Sequence, residues 1–419
     1  MMIRCLLVAL GCLVSPVAAA QDSCPAIAST TMVTVSFPHL VADDVCSAGP
    51  VDRDRLPPDP RRDGAVLQST TISQLASQAP GVPSVGLPRI ASNFPTKPLL
   101  VPAWGTGAVP ASAAPDVVGA FRLICTAGHV SADDPIVYPG QPGKSHLHQF
   151  YGNTQANASS TYESLRRSGD STCENKLNRS AYWQPAMLNG KGSVVRPDFV
   201  TIYYKRLPAN DPNCKRQGIA CVGLPRGLRF IFGYDMLSDT APTGSFVYTC
   251  VGENGQKALN PNSPDISTAI KGCPPDYQLE VRGQAPDCWN GIDLDSQNHR
   301  DHVAYGSYGD WGYLKCPSTH PYIIPAFTIA SFYTTDASLP GWHLSSDIMP
   351  GHSMTPGSTF HADWFGAWDD ETMMMWETNC INKMLNCSGG DLGNGKQMKR
   401  ALDFSWKAKP RLVPAPPPN

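Results

Sequence analysis

Phe199-Val200-Thr201-Ile202-Tyr203-Tyr204 is the stretch that decides the fold class. It is built of β-branched and aromatic residues, the types that fit a pleated, half-buried surface. Similar runs follow between turn residues: Leu228–Phe232, Ser245–Thr249 and Tyr322–Ile329. Short strands at this density predict a mainly β fold, a sandwich or distorted jelly-roll-like domain with long loops and few short helices. Helical patterns are confined to Tyr162–Arg167 and Glu371–Asn382.

Around this core the chain divides by composition. Residues 1–20 read as a signal peptide, with Arg4 before an apolar run and Ala18-Ala19-Ala20 as the cleavage site ahead of Gln21. The apolar run is too short to span a bilayer comfortably, and no later stretch is a transmembrane candidate. Residues 21–49 read as a small segment closed by Cys24 and Cys46, with Thr31–Phe37 as a strand. Residues 50–115 hold twelve prolines, a density that excludes helix and central strand, so they read as a linker or a surface-hugging arm. Within that arm the segment from Pro98 to Trp104 is apolar enough to dock. Residues 116–406 form the main domain, and the proline-rich tail 407–419 is expected to be disordered.

Export changes the meaning of the cysteines. Two of the fourteen lie in the signal peptide, and the remaining even number in an oxidising space implies disulfides. Sequence does not fix their connectivity. Short loops favour Cys214–Cys221 and Cys380–Cys387, then Cys24–Cys46, Cys250–Cys273 and Cys288–Cys316, which leaves Cys125 with Cys173. The expected location is secreted or periplasmic. Lys and Arg total 33 against 35 for Asp and Glu, so no electrostatic footprint for nucleic acid exists. A monomer is expected.

The residues able to carry chemistry fall into three groups. In Ser145–Asn153, His146 and His148 are two apart and would share one strand face. That suits two metal ligands, an acid/base pair, or two structural histidines. Upstream, Asp134 sits before Pro135 in a Pro/Gly-shaped loop and is placed to aim a carboxylate at that face. In Cys288–His302, Asp293 and Asp295 alternate ahead of His302. This oxygen-rich run lacks the EF-hand spacing, so calcium is the weaker cofactor candidate. In His361-Ala362-Asp363, a base and a carboxylate repeat the two-apart arrangement, and a carboxylate beside an imidazole fixes its tautomer. Eight of nine tryptophans lie from Trp183 onward, and Trp342, Trp364 and Trp368, with Tyr151, are candidates to stack on sugar rings. Core packing is the alternative role for these aromatics. The chain has no GxSxG elbow, P-loop, HExxH or dinucleotide fingerprint.

Five blocks, in order, also carry a family resemblance: DPIVYPGQPGKSHLHQFYGN, YWQPAML, the stretch from Cys273 to Gly306, CPSTHPYIIP and FHADWFGAWD. Across roughly Val117 to Arg400 the chain resembles domain of unknown function nineteen-ninety-six. That family comprises secreted fungal and bacterial proteins, some joined to the WSC carbohydrate-binding module. The resemblance supports secretion and implies one domain. Its recurrent positions here are His146, His148, Asp293, His302, His320, His361 and Asp363, and it supplies no activity.

The reading that follows is a secreted protein acting on polysaccharide or cell-wall glycan by hydrolysis or elimination. His146, His148, His361 and Asp363 would converge in a partly accessible cleft with Asp134, and with His302 or His320, nearby, rimmed by Trp342 and Trp364. A histidine would act as acid or base near its ordinary pKa. Two alternatives stand beside it: a non-catalytic glycan-binding module, and a protein that binds a divalent metal such as zinc or copper through His146, His148 and His361. A shared site requires the imidazoles of His148 and His361 to lie within about 12 Å, several times hydrogen-bonding reach.

Overall fold

The computed structural model describes residues 86–103, 118–215, 219–242, 244–252, 256–308, 314–349, 352–401 and 404–416. The stretch read as a signal peptide, the segment read as closed by Cys24 and Cys46, and Trp104 lie outside these residues. Twelve strands build two main sheets and are numbered here in chain order. They are β1 (Gly119–Cys125), β2 (Val130–Ser131), β3 (His148–Gly152), β4 (Ala181–Pro185), β5 (Phe199–Arg206), β6 (Arg229–Gly233), β7 (Phe246–Val251), β8 (Leu259–Ser263), β9 (Gln278–Gln284), β10 (Ala326–Thr334), β11 (His361–Phe365) and β12 (Asn386–Cys387).

The larger sheet has seven strands in the order β8-β7-β9-β10-β5-β1-β12, and the smaller has five in the order β6-β11-β4-β3-β2. Every pairing in them is antiparallel except β1 with β12. The run that opened the sequence reading is β5, paired with β10 on one side and β1 on the other. The fold is mainly β and sandwich-like, as expected.

Side chains alternate across each strand, so each sheet offers two faces. The inner face of the smaller sheet sends Tyr151, Tyr182, Phe230, Phe232 and Trp364 into one core with Tyr204, Ile329 and Val281 of the larger sheet. Phe327 of β10 is central to it, with its ring 5.5 Å from Trp364 and 5.9 Å from Tyr182. Two pairs of polar groups between the sheets satisfy each other. The Tyr182 and Tyr204 hydroxyls are 2.7 Å apart, and Gln184 donates to the Tyr333 hydroxyl at 2.8 Å. Unpaired, each would cost about 1–3 kcal/mol.

The outer face of the smaller sheet carries a second apolar cluster, in which Phe150, Trp183, Ile231 and Phe365 pack under Ile136, Tyr162 and Leu165. Tyr162 and Leu165 come from the helix Tyr162–Arg167, which starts where Thr161 and Ser164 cap it reciprocally. The second expected helix is present as Asp370–Trp376 followed by a π turn, Glu377–Ile381.

Five disulfides join Cys125–Cys173, Cys214–Cys221, Cys250–Cys273, Cys288–Cys316 and Cys380–Cys387. Two parts of the chain are more ordered than composition suggested. Leu100–Pro102 in the proline-rich arm pairs with Lys396–Met398, and Phe94, Leu99 and Leu100 pack on the main core. Leu412–Pro414 in the expected disordered tail pairs with Ser193–Val195. An edge strand tolerates proline because only one side of it must donate hydrogen bonds.

Candidate functional site

The two histidine pairs meet on the outer face of the smaller sheet. β3 and β11 flank β4, so backbones carrying His148 and His361 are separated by about 10 Å, two strand spacings. Their side chains lean toward each other over the end of β4, where Pro185 is the register partner of His148. The ring centroids of His148 and His361 are 5.9 Å apart, well inside the limit set for a shared site. His146 lies in the bend before β3 rather than on the strand, yet its ring is 4.3 Å from His148 and 5.0 Å from His361.

One ligand-type nitrogen from each of His146, His148 and His361 falls within 4.8 Å of the other two. Asp134, His148 and Asp363 form a second such triad. Asp363 sits two residues along β11 from His361, on the same face, and opposite Trp183 and Ile231 on its neighbour strands.

The backbone fixes which nitrogens are free. His148 donates Nδ1–H to the Asp133 carbonyl at 3.0 Å, and His361 donates Nδ1–H to the Thr359 carbonyl at 3.0 Å. Both rings are thereby held in the tautomer whose Nε2 carries the lone pair. Asp134 is held by its own loop, since Oδ1 accepts from the Ile136 and Val137 amides, each at 2.8 Å. Against this order, Nε2 of His146, Nε2 of His148 and both carboxylate oxygens of Asp363 are enclosed without a hydrogen-bond partner.

Burial dominates the electrostatics. It lowers His146 well below the ordinary histidine pKa, reinforced by the neighbouring His148 and His361. It takes His361 down to about 3, again with His148 adding to the effect. His148 is also lowered by burial, while Asp134 and Asp133 pull it back up. All three rings are therefore neutral at physiological pH, the form that binds metal. Asp363 moves the other way, well above the usual carboxylate range, through burial and the adjacent Asp134, with Arg300 opposing.

The arrangement differs from the expected cleft. His148 and His361 are 0% and 4% exposed, and His146 is half-buried with its Nε2 enclosed. None of these three histidines lines the surface hollows around Tyr203, Lys399, Ser164 or Arg226. The aromatic residues expected to bind sugar lie in the core instead: Tyr151 0%, Trp342 1%, Trp364 1% and Trp368 4% exposed. On β3 and β11, Tyr151 and Trp364 occupy the face opposite the histidines. Trp342 donates to the Ser338 hydroxyl, and Trp368 to the Tyr204 hydroxyl.

His302 is outside the cluster. Its Nε2 donates to the Arg229 carbonyl at 2.8 Å and its Nδ1 pairs with the Ser296 hydroxyl at 2.9 Å, so both nitrogens are engaged. Arg229 pairs with Phe365, the far end of β11 from His361. His320 bonds Thr319 and the Asp301 carbonyl, and Asp293 accepts from Asn290.

Two contributors escaped the sequence reading. Arg300 donates to the carbonyls of Gly233 and Tyr234, clamping the end of β6 that pairs with His361. Gly233 has φ +89, and a Cβ there would meet the Phe360 carbonyl oxygen at 2.6 Å and the His361 Cα at 2.9 Å. Arg300 lies within the block ending at His302, where the histidines drew attention. Gly233 follows a strand run, a position that often marks close backbone approach.

A disulfide-stapled β-sandwich with a buried His/Asp cluster on its outer face is the class that fold and site define. The chain belongs to the family described as Domain of unknown function (DUF1996), whose profile matches residues 134–368 and so spans every member of that cluster. No curated protein and no solved structure matches it.

Proposed function

We propose that this is an exported domain that holds a divalent transition-metal ion between His146, His148 and His361. The observation that carries the reading is the convergence of three neutral imidazoles with enclosed, partnerless Nε2 atoms on His146 and His148. A buried polar atom left unpaired costs about 1–3 kcal/mol, and a coordinate bond removes that cost. Three nitrogen donors suit zinc, copper or nickel better than calcium or magnesium. Carbonyl groups on the outer ring nitrogens of His148 and His361 are the outer-shell support that metal-binding histidines use. Three protein ligands are also the pattern of sites that leave a coordination position for water or substrate.

The glycan-directed reading loses its main support, because the tryptophans that were to rim a sugar subsite are core residues. Export is favoured by five disulfides, which persist in oxidising compartments. No helix among the described residues is long and apolar enough to cross a membrane.

Elemental analysis of protein purified without chelator tests the metal reading. About one equivalent of zinc, copper or nickel per chain is expected, and His148→Ala should abolish it. A metal-free protein that takes up none of these ions would sink the proposal. Sequencing the N-terminus of exported protein tests the compartment, with Gln21 the expected first residue.

A further inference from the structure

The cluster offers more donor atoms than its three histidines. Asp134, His148 and Asp363 are all buried and bring one ligand atom each within 4.8 Å of the others. Both triads pass through His148. Its Nδ1–H is committed to the Asp133 carbonyl, so Nε2 is its single donor atom and serves one ion at a time. Each triad used alone also leaves enclosed atoms unmatched. The nitrogen triad leaves both oxygens of Asp363, and the carboxylate triad leaves Nε2 of His146.

We infer that the site has two alternative seats for one divalent ion, pivoting on Nε2 of His148. The inference rests on the metal reading above and adds that the identity of the ion decides the seat. A nitrogen-preferring ion such as copper takes His146, His148 and His361. An oxygen-preferring ion such as manganese takes His148 with the side-chain oxygens of Asp134 and Asp363. The seats share one wall of the sheet, because His361 and Asp363 are successive outward residues of β11. Switching seats therefore needs no backbone movement, only a displacement of the ion by at most about 4 Å, twice a metal–nitrogen bond, around Nε2 of His148.

Electron paramagnetic resonance titrations of the full chain with Cu(II) and, separately, Mn(II) test this, using wild type, Asp363→Asn and His361→Gln. Asp363→Asn should weaken Mn(II) binding by about tenfold or more and leave Cu(II) binding within about threefold of wild type. His361→Gln should do the reverse and remove one nitrogen from the Cu(II) coupling pattern. Each variant must keep one ion, which controls for folding. If either variant weakens both ions equally, a single seat serves both and the inference is wrong. If wild type binds neither ion, the metal reading itself falls.

Discussion

His148→Ala removes the one residue common to both donor triads, so it isolates the energetic contribution of a bound ion. In the wild type, an ion present at a hundredfold excess over its dissociation constant stabilises the fold by about 2.7 kcal/mol. An ordered domain of about 300 residues unfolds with an entropy near 2.1 cal/mol/K per residue, so that increment raises Tm by about 4 °C. In the variant the increment should vanish. The variant should also start lower in chelator, by about 1–3 kcal/mol, because the Asp133 carbonyl loses its donor and stays buried. Melting curves followed by circular dichroism, in EDTA and then across a zinc or copper titration, measure both quantities. The reasoning is refuted if metal raises the Tm of His148→Ala as far as that of the wild type. It is equally refuted if saturating zinc, copper and nickel all leave the wild-type Tm unchanged.

Glu377 is fully buried, and burial pushes its carboxyl up to about 7, with Arg206 opposing. A raised carboxyl favours the protonated fold, so its contribution is complete below the unfolded value near 4.5 and disappears as pH rises through about 7, a loss of at most about 3 kcal/mol. Glu377→Gln should flatten that decline in denaturant titrations run across this pH window, and an unchanged slope would count against it. Trp364→Ala should cost about 3–5 kcal/mol, as expected of a core residue, whereas a sugar-stacking surface residue would cost little. Gly233→Ala forces the Phe360–His361 backbone aside and should weaken metal binding by about tenfold, with calorimetric affinity equal to wild type as the refuting result.

The period-two rule explains both what the sequence made legible and what was misread. It put His361 and Asp363 on one face of a strand, and β11 places them so. The same rule puts Trp364 on the other face, and likewise separates Tyr151 from His148, so their assignment to a sugar-binding rim conflicted with the spacing already in use. Trp368 lies beyond the end of that strand at Phe365, so it shares no strand face with Trp364. His146 reached the cluster by a bend, which spacing cannot reveal. The acceptors that orient the rings, the carbonyls of Asp133 and Thr359, belong to the backbone and leave no trace in residue type. Cysteine spacing, by contrast, led to all five pairings seen among the described residues, because loop closure favours near neighbours.

The proline-rich arm has a practical meaning for anyone trimming this protein. Arg166, 1% exposed, donates to the Ile90 carbonyl and the Ser92 hydroxyl, and Ser92 in turn donates to Asp369. Leu100–Pro102 occupies the open side of Lys396–Met398. A fragment beginning near Val117 would leave the Arg166 guanidinium with the Ala367 carbonyl and Asp369 but without Ile90 and Ser92, and would bare a strand edge ready to recruit another chain. Such a fragment should be recovered as oligomers or precipitate, whereas one beginning upstream of Gly86 keeps both the guanidinium and the edge covered.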